Sequence, residues 1–226
     1  MAESTIHEPA RDVPVAGEFD LCVIGGSTTG VFAAISAARL GLRVAIVEAL
    51  GYFGGTATAS MVCVWHSIFD ANFEDQIAAG LPLEVIERLK RRDVVTDRGR
   101  NPSLQFIFNP AEMAIELDAM IVEAGVRPFL HTRFVTAVVD EPGHVTHAII
   151  EDKTGRRAIA AKAFIDASGD ADLAHRAQMD CYKQPRLQPP TACVMVQGMK
   201  DLYNVHGHAY SLNVIFDKQY PEALEP

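Results

Sequence analysis

Residues 23–30 read Val-Ile-Gly-Gly-Ser-Thr-Thr-Gly, and Gly25, Gly26 and Gly30 have the types and spacing of a diphosphate cradle. A pyrophosphate needs backbone N–H groups and a helix start close by, and glycine permits that approach because no side chain intervenes. Ser27 stands where such a turn usually carries its middle glycine. Its CH2OH would crowd a diphosphate, yet its hydroxyl, like those of Thr28 and Thr29, can donate a hydrogen bond to phosphate oxygen. The turn is expected to be modified, not abolished. Glu48 lies about twenty residues beyond the first glycine, where a carboxylate would accept hydrogen bonds from an adenosine ribose. The competing reading is a plain strand-to-helix turn with Glu48 a solvated strand end.

The elements around these residues support the nucleotide reading. Phe19 to Ile24 is a short, nearly continuous apolar run, the mark of a strand buried on both faces of a parallel sheet. Thr28 to Leu40 reads as an alanine-rich helix, and Gly41 sits where a left-handed residue commonly ends one. Arg43 to Val47 supplies the second strand, so a right-handed strand, helix, strand unit is predicted, and the fold class is α/β with a Rossmann-like parallel sheet.

Residues 51–66 are rich in small side chains without a clean period and predict a loop, either a working one or a disordered one. Residues 81–92 form an amphipathic helix whose Lys90, Arg91 and Arg92 suit its C-terminus better than a binding patch. Asn109, Pro110 and Glu112 are an N-cap, a first-turn proline and a carboxylate placed to reach back. Met113, Leu117, Met120, Ile121 and Ala124 then recur on one face, and Gly125 closes the helix. From Val126 short apolar runs alternate with turn signals at Glu141-Pro142-Gly143 and 152–155, predicting an inserted antiparallel β-meander. Its last run ends in Asp166-Ala167-Ser168-Gly169-Asp170, a second glycine turn beside the first.

Composition bounds the partners. A net charge of -9 over 226 residues disfavours nucleic acid and anionic membrane surfaces, and a small-molecule substrate fits better. Arg39, Gly41 and Arg43 interrupt the longest apolar stretch, so no membrane span is expected. Cys22, Cys63, Cys181 and Cys193 make no CxxC pair, which signals neither zinc nor a disulfide framework and suits the cytoplasm. No metal site is expected from Asp166, Asp170 and Asp172, nor from His206 and His208.

Residues 19–58 resemble the N-terminus of FAD-dependent oxidoreductases of the glutathione-reductase-like superfamily, in particular the group with a Gly-Gly-Thr segment after the second strand. Residues 163–177 resemble that group's second flavin motif, and 187–198 the segment after it. The resemblance implies FAD as cofactor. It sets Gly25, Gly26, Ser27 and Gly30 against the pyrophosphate, Glu48 on the ribose, and Gly54, Gly55 and Thr56 on the way to the flavin. It sets the backbone of Phe134 at the adenine edge and Ala167, Ser168, Gly169 and Asp170 over the adenosine half.

It further implies hydride or electron transfer between a small organic substrate and the flavin. Side chains nearest the ring would come from the loop after Thr56, namely Cys63, Trp65 and His66. His66 is the candidate acid or base, since imidazole serves near neutral pH; its alternative is a histidine satisfied by hydrogen bonds beside the core. Covalent flavin attachment through His66 or Cys63 is a further chemical option.

The implied domains are a polar tail over 1–18, an FAD-binding domain over 19–180 with a helical insertion at about 67–108, and the start of a substrate domain over 181–226. Family members continue to a late Gly-Asp motif that is not found before Pro226, which implies a fragment or a hetero-oligomer with a complementary polypeptide. A non-catalytic FAD-binding subunit is the alternative; an NAD(P)-dependent dehydrogenase fits the Gly-Gly-Thr segment less well.

Overall fold

The computed structural model describes residues 5–100, 104–187 and 191–193. Its elements run β1 Val15–Ile24, α1 Thr28–Arg39, β2 Val44–Val47, a 3-10 turn over Gly55–Ala57, β3 Val64–Trp65, α2 Leu81–Arg91, β4 Val95–Asp97, β5 Phe106–Phe108, α3 Pro110–Glu123, β6 Arg127–Phe129, β7 Arg133–Glu141, β8 His144–Asp152, β9 Gly155–Asp166 and α4 Asp172–Arg176. All lie within the unit Met1–Pro189. Most of the segment at 187–198 and all of His206 and His208 lie outside the described residues.

Six strands form one sheet in the order β6-β2-β1-β9-β8-β7. β1 is parallel to β2 and β9, and β2 to β6. The apolar runs behave as their composition requires, because Leu21 to Ile24 and all of β2 are buried. Alternate residues serve opposite faces. Leu21, Val23, Val44 and Ile46 pack with the helices, whereas Cys22, Ile24, Ala45 and Val47 pack toward Ala148, Ile150 and Ile159. Burial there pushes the Cys22 thiol up to about 12.

The β-meander is present as β7, β8 and β9, and it is continuous with the parallel sheet. β9 belongs to both parts: Gly155 to Ala160 pair antiparallel with β8, while Ala158 to Asp166 pair parallel with β1. β1 begins four residues before the apolar run. Val15, Gly17 and Glu18 pair with Ala158 to Ala160 inside the segment expected to be a polar tail, through backbone groups whose pairing side-chain polarity does not report.

The expected helical insertion is only half helical. α2 is there, but β3, β5 and β4 form a three-stranded antiparallel sheet. Phe106 and Phe108 are buried with half-buried Ile107 between them, an alternation of period two in a segment too short to stand out as a strand.

α3 starts as predicted, with the Asn109 side chain accepting from the N–H groups of Ala111 and Glu112. Glu112 does not reach back, however. The Asn109 N–H donates to the Val94 carbonyl instead, and Glu112 pairs with Arg92. Two basic residues of α2 are structural: Arg88 bridges Glu84, Glu116 and Glu123, and Lys90 bridges Glu87 and Asp97. Among the described residues no helix is long and apolar enough to cross a membrane.

Candidate functional site

The site begins where β1 stops. The Gly25 N–H donates to the Val47 carbonyl at 2.9 Å, and Gly25 adopts φ 99°, a conformation that favours glycine. A β-carbon on Gly30 would stand 2.0 Å from the Gly25 carbonyl oxygen, so the turn closes only because Gly30 lacks one. Ser27 is the N-cap of α1. Its Oγ accepts from the Gly30 N–H at 3.3 Å and its hydroxyl donates to the Ala167 carbonyl at 3.2 Å. In the chain without a cofactor the hydroxyl proton thus goes to the neighbouring bend. The first N–H groups of a helix have no partner within it, and here Ser27 takes only that of Gly30.

The second bend lies against the first. Ser27 and Gly54 form a parallel bridge, and the Gly54 N–H donates to the Gly26 carbonyl at 2.8 Å. Gly55 follows at φ 53°, and Thr56 is exposed. The third bend lies on the other side, because β1 and β9 end together with Ile24 opposite Asp166. Asp166 organises it: Oδ1 accepts from the Ser168 N–H at 3.0 Å and its hydroxyl at 2.6 Å, and Oδ2 accepts from the Ala174 N–H at 2.9 Å. Burial pushes the Asp166 carboxyl up, but these hydrogen bonds outweigh it and hold the group below the usual carboxylate range. Among the described residues no group of three His, Cys, Asp or Glu could hold a metal ion.

Glu48 follows β2 and reaches into the first bend. Oε2 accepts from the Gly26 N–H at 2.7 Å, and Oε1 from the Leu50 N–H at 2.7 Å. A carboxylate has about four lone-pair sites, so two remain for ribose hydroxyls. Gly25, Glu48, Phe134 and Ser168 together line a cavity of about 160 Å³. Thr132, Arg133 and Asp172 line it too, close in sequence to the expected Phe134 and Asp170 but not themselves among the residues the sequence singles out for the nucleotide. A second cleft, of about 360 Å³, runs past Ser27, Thr29, Ala167 and Gly169. Asp170 is exposed.

Thr28 and Thr29 also border a third cleft, of about 310 Å³, walled by Phe32, Trp65, Ile68 and Pro82. Trp65 meets Phe32 and Phe108 edge to face, with centroids 6.4 and 5.4 Å apart. Cys63 packs on the core, as a small apolar side chain does. His66 is exposed just after β3.

A side-chain-poor turn, a helix start beside it and a carboxylate at ribose distance in sequence are the donor set that a dinucleotide such as FAD needs, and the bends fit that group. The family model described as FAD dependent oxidoreductase matches residues 20–223. Mitochondrial dihydrolipoyl dehydrogenase of Schizosaccharomyces pombe is 58% identical over 40 residues, 18% of this chain and 8% of that protein. Dihydrolipoyl dehydrogenase of Trypanosoma brucei brucei is 33% identical over 95 residues, 37% of this chain and 20% of that one.

Two solved structures share the fold. The THI4 protein of Thermovibrio ammonificans superposes with a TM-score of 0.52 at 22% identity over 71% of this chain and 62% of that chain. A geranylgeranyl bacteriochlorophyll reductase-like protein from Thermoplasma acidophilum gives 0.51 at 17% identity over 72% and 42%. The chain thus spans only a small part of the curated relatives, 8% and 20% of the two above. With three glycine bends meeting at one sheet edge and a family model covering nearly the whole sequence, the chain belongs to the FAD dependent oxidoreductase family, and FAD is its cofactor.

Proposed function

We propose that this chain is the FAD-holding part of an enzyme that passes a hydride or electrons between a small organic substrate and the flavin. The redox chemistry is the cofactor's, and the protein binds and orients it. The observation that carries this reading is the junction of the bends: Ile24 opposite Asp166, the Ser27 bridge to Gly54, and Glu48 hydrogen-bonded into the same turn. In this reading Gly25, Gly26, Ser27, Thr28, Thr29 and Gly30 take the diphosphate, and Glu48 the adenosine ribose. The Phe134 backbone meets the adenine, and Ala167, Ser168, Gly169 and Asp170 close over that half. Gly54, Gly55 and Thr56 lead to the ring, where His66 acts as acid or base. Residues 19–180 then form the FAD domain and 181–226 begin the substrate domain. The unpaired thiols of Cys22, Cys63 and Cys181 suit a cytoplasmic setting.

The second reading, that a complementary polypeptide or a further stretch of chain completes the enzyme, draws support from β9. Beyond Ala160 it pairs with β1 alone among the described residues. Phe164 and Ile165 are half-buried there, whereas Cys22 and Val23 opposite them are fully buried. An edge of that kind accepts another strand. The test of both readings is to purify the protein, release its cofactor by denaturation and identify it by mass and absorbance. FAD in stoichiometric amount is expected, and bleaching by a substrate with this chain alone would remove the non-catalytic-subunit reading. A protein that takes up no FAD even with its natural neighbours present would overturn the flavin assignment.

A further inference from the structure

We propose that Thr132 is a positioning residue for the Glu48 carboxylate, acting through the bend between β6 and β7, and that this bend gives the site its preference for ribose over 2′-deoxyribose in the nucleotide. The inference rests on the FAD reading above, in which Glu48 takes the adenosine ribose.

β6 runs beside β2 as far as Phe129 opposite Val47, and the pairing does not stop where the strands do. The Glu48 N–H donates to the Phe129 carbonyl, and the Glu48 carbonyl accepts from the Thr132 N–H, each at 2.9 Å. Leu50, whose N–H holds Oε1 of Glu48, gives its own carbonyl to the His131 N–H, also at 2.9 Å. Glu48 and Leu50, which with Gly26 aim the carboxylate, are thus both tied to residues 129–132.

The bend has a shape that needs enforcing. His131 sits at φ 50°, a left-handed conformation uncommon for a residue with a side chain, which persists only where the surroundings impose it. Its ring stands 2.6 Å from where a β-carbon of Gly51 would be, so the bend and the segment after Glu48 are fitted to each other. Thr132 closes the bend. It is 1% exposed, and its hydroxyl donates to the Leu130 carbonyl at 2.8 Å, with Oδ2 of Asp152 3.4 Å away as the alternative acceptor.

Packing alone does not account for that hydroxyl, because valine has nearly the same shape and carries no polar group to desolvate. What the hydroxyl adds is a fixed left-handed turn on the wall of the nucleotide cavity, which Thr132 and Glu48 both line.

The experiment strips flavin from the intact protein and titrates FAD, AMP and 2′-deoxy-AMP by calorimetry into wild type, Thr132→Val, Thr132→Ser and His131→Gly. AMP and 2′-deoxy-AMP differ only in a hydroxyl that Glu48 accepts from in this reading. Wild type should bind AMP about tenfold more tightly, the size of one hydrogen bond to a charged group. Thr132→Val should bring that ratio below about threefold, with 2′-deoxy-AMP itself changing less than about twofold. Thr132→Ser, which keeps the hydroxyl, should keep the wild-type ratio. His131→Gly takes φ 50° without strain and removes only an exposed ring, so it spares the fold and should lower the ratio by freeing the bend. The inference is overturned if Thr132→Val, or His131→Gly should the valine variant not fold, keeps the wild-type ratio, or if Thr132→Ser loses it. It is equally overturned if both nucleotides weaken together, which marks a general loss of structure. Equal binding of the two by wild type would take Glu48 off the ribose and the inference with it, whereas wild type that binds AMP but no FAD would sink the underlying FAD reading.

Discussion

The carbonyl oxygen of Ala167 lies 2.3 Å from where a β-carbon on Gly25 would stand, so the first and third bends are in contact through a glycine that has no room to be anything else. Gly25 also holds φ 99°, which an L side chain rarely adopts. Gly25→Ala should therefore cost about 2 kcal/mol or more from backbone strain and the displaced strand end together. Denaturant unfolding of the flavin-free protein measures that cost. FAD binding should be lost in the same variant, and a Gly25→Ala protein of wild-type stability and affinity would contradict the contact.

Ser27 separates two roles that glycine would merge. Its hydroxyl caps α1 and holds Ala167, so Ser27→Ala should destabilise the protein by about 1 kcal/mol, the ordinary worth of an N-cap. Ser27→Gly should cost less at the helix start, since glycine is a tolerable cap. Because the hydroxyl proton is spent on Ala167, the glycine variant should hold FAD within about threefold of wild type, a difference under 1 kcal/mol. A large loss of FAD in Ser27→Gly would mean that the hydroxyl reaches phosphate after all.

Much of this arrangement was legible in the chain, and what was not has a common cause. The cap of α1, the helix start at Asn109 and the β-meander rest on contacts near in sequence, and local residue types report those directly. The contact of Ser27 with Ala167 is not legible in the chain, because Ala167 follows β9 and only the parallel pairing of β1 with β9 brings the two together. Thr132 and Arg133 come to the cavity through another contact distant in sequence, the Thr132 N–H donating to the Glu48 carbonyl at 2.9 Å. The strand Phe106–Phe108 escaped notice because three residues give too little periodicity to read.

The third bend carries a pH signature. Asp166 titrates below its ordinary value of 3.8 in the folded protein, so its contribution is fully present above that pH and fades as pH falls through the lower folded value. Asp166→Asn keeps one acceptor oxygen for three donors and should be about 1 kcal/mol less stable at neutral pH. Below pH 3.8 the gap between variant and wild type should close. Urea midpoints for both proteins from neutral pH downward test this, and a gap that stays constant below 3.8 would show that Asp166 is not the titrating group.

The cleft walled by Phe32, Trp65, Ile68 and Pro82 carries its own readout, because Trp65 is the one tryptophan in the chain. Thr28 and Thr29 border both this cleft and the start of α1, and on the proposed reading the flavin ring enters this cleft beside the indole. Adding FAD to the flavin-free protein should quench Trp65 fluorescence, whereas AMP, which ends at the first phosphate, should leave it unchanged. His66 follows Trp65 directly, so His66→Gln should lower turnover while FAD affinity and the quenching stay as in wild type. Quenching by AMP as strong as by FAD would mean that Trp65 senses a general change in the fold, and the ring would then have to lie along the other cleft, beside Gly169.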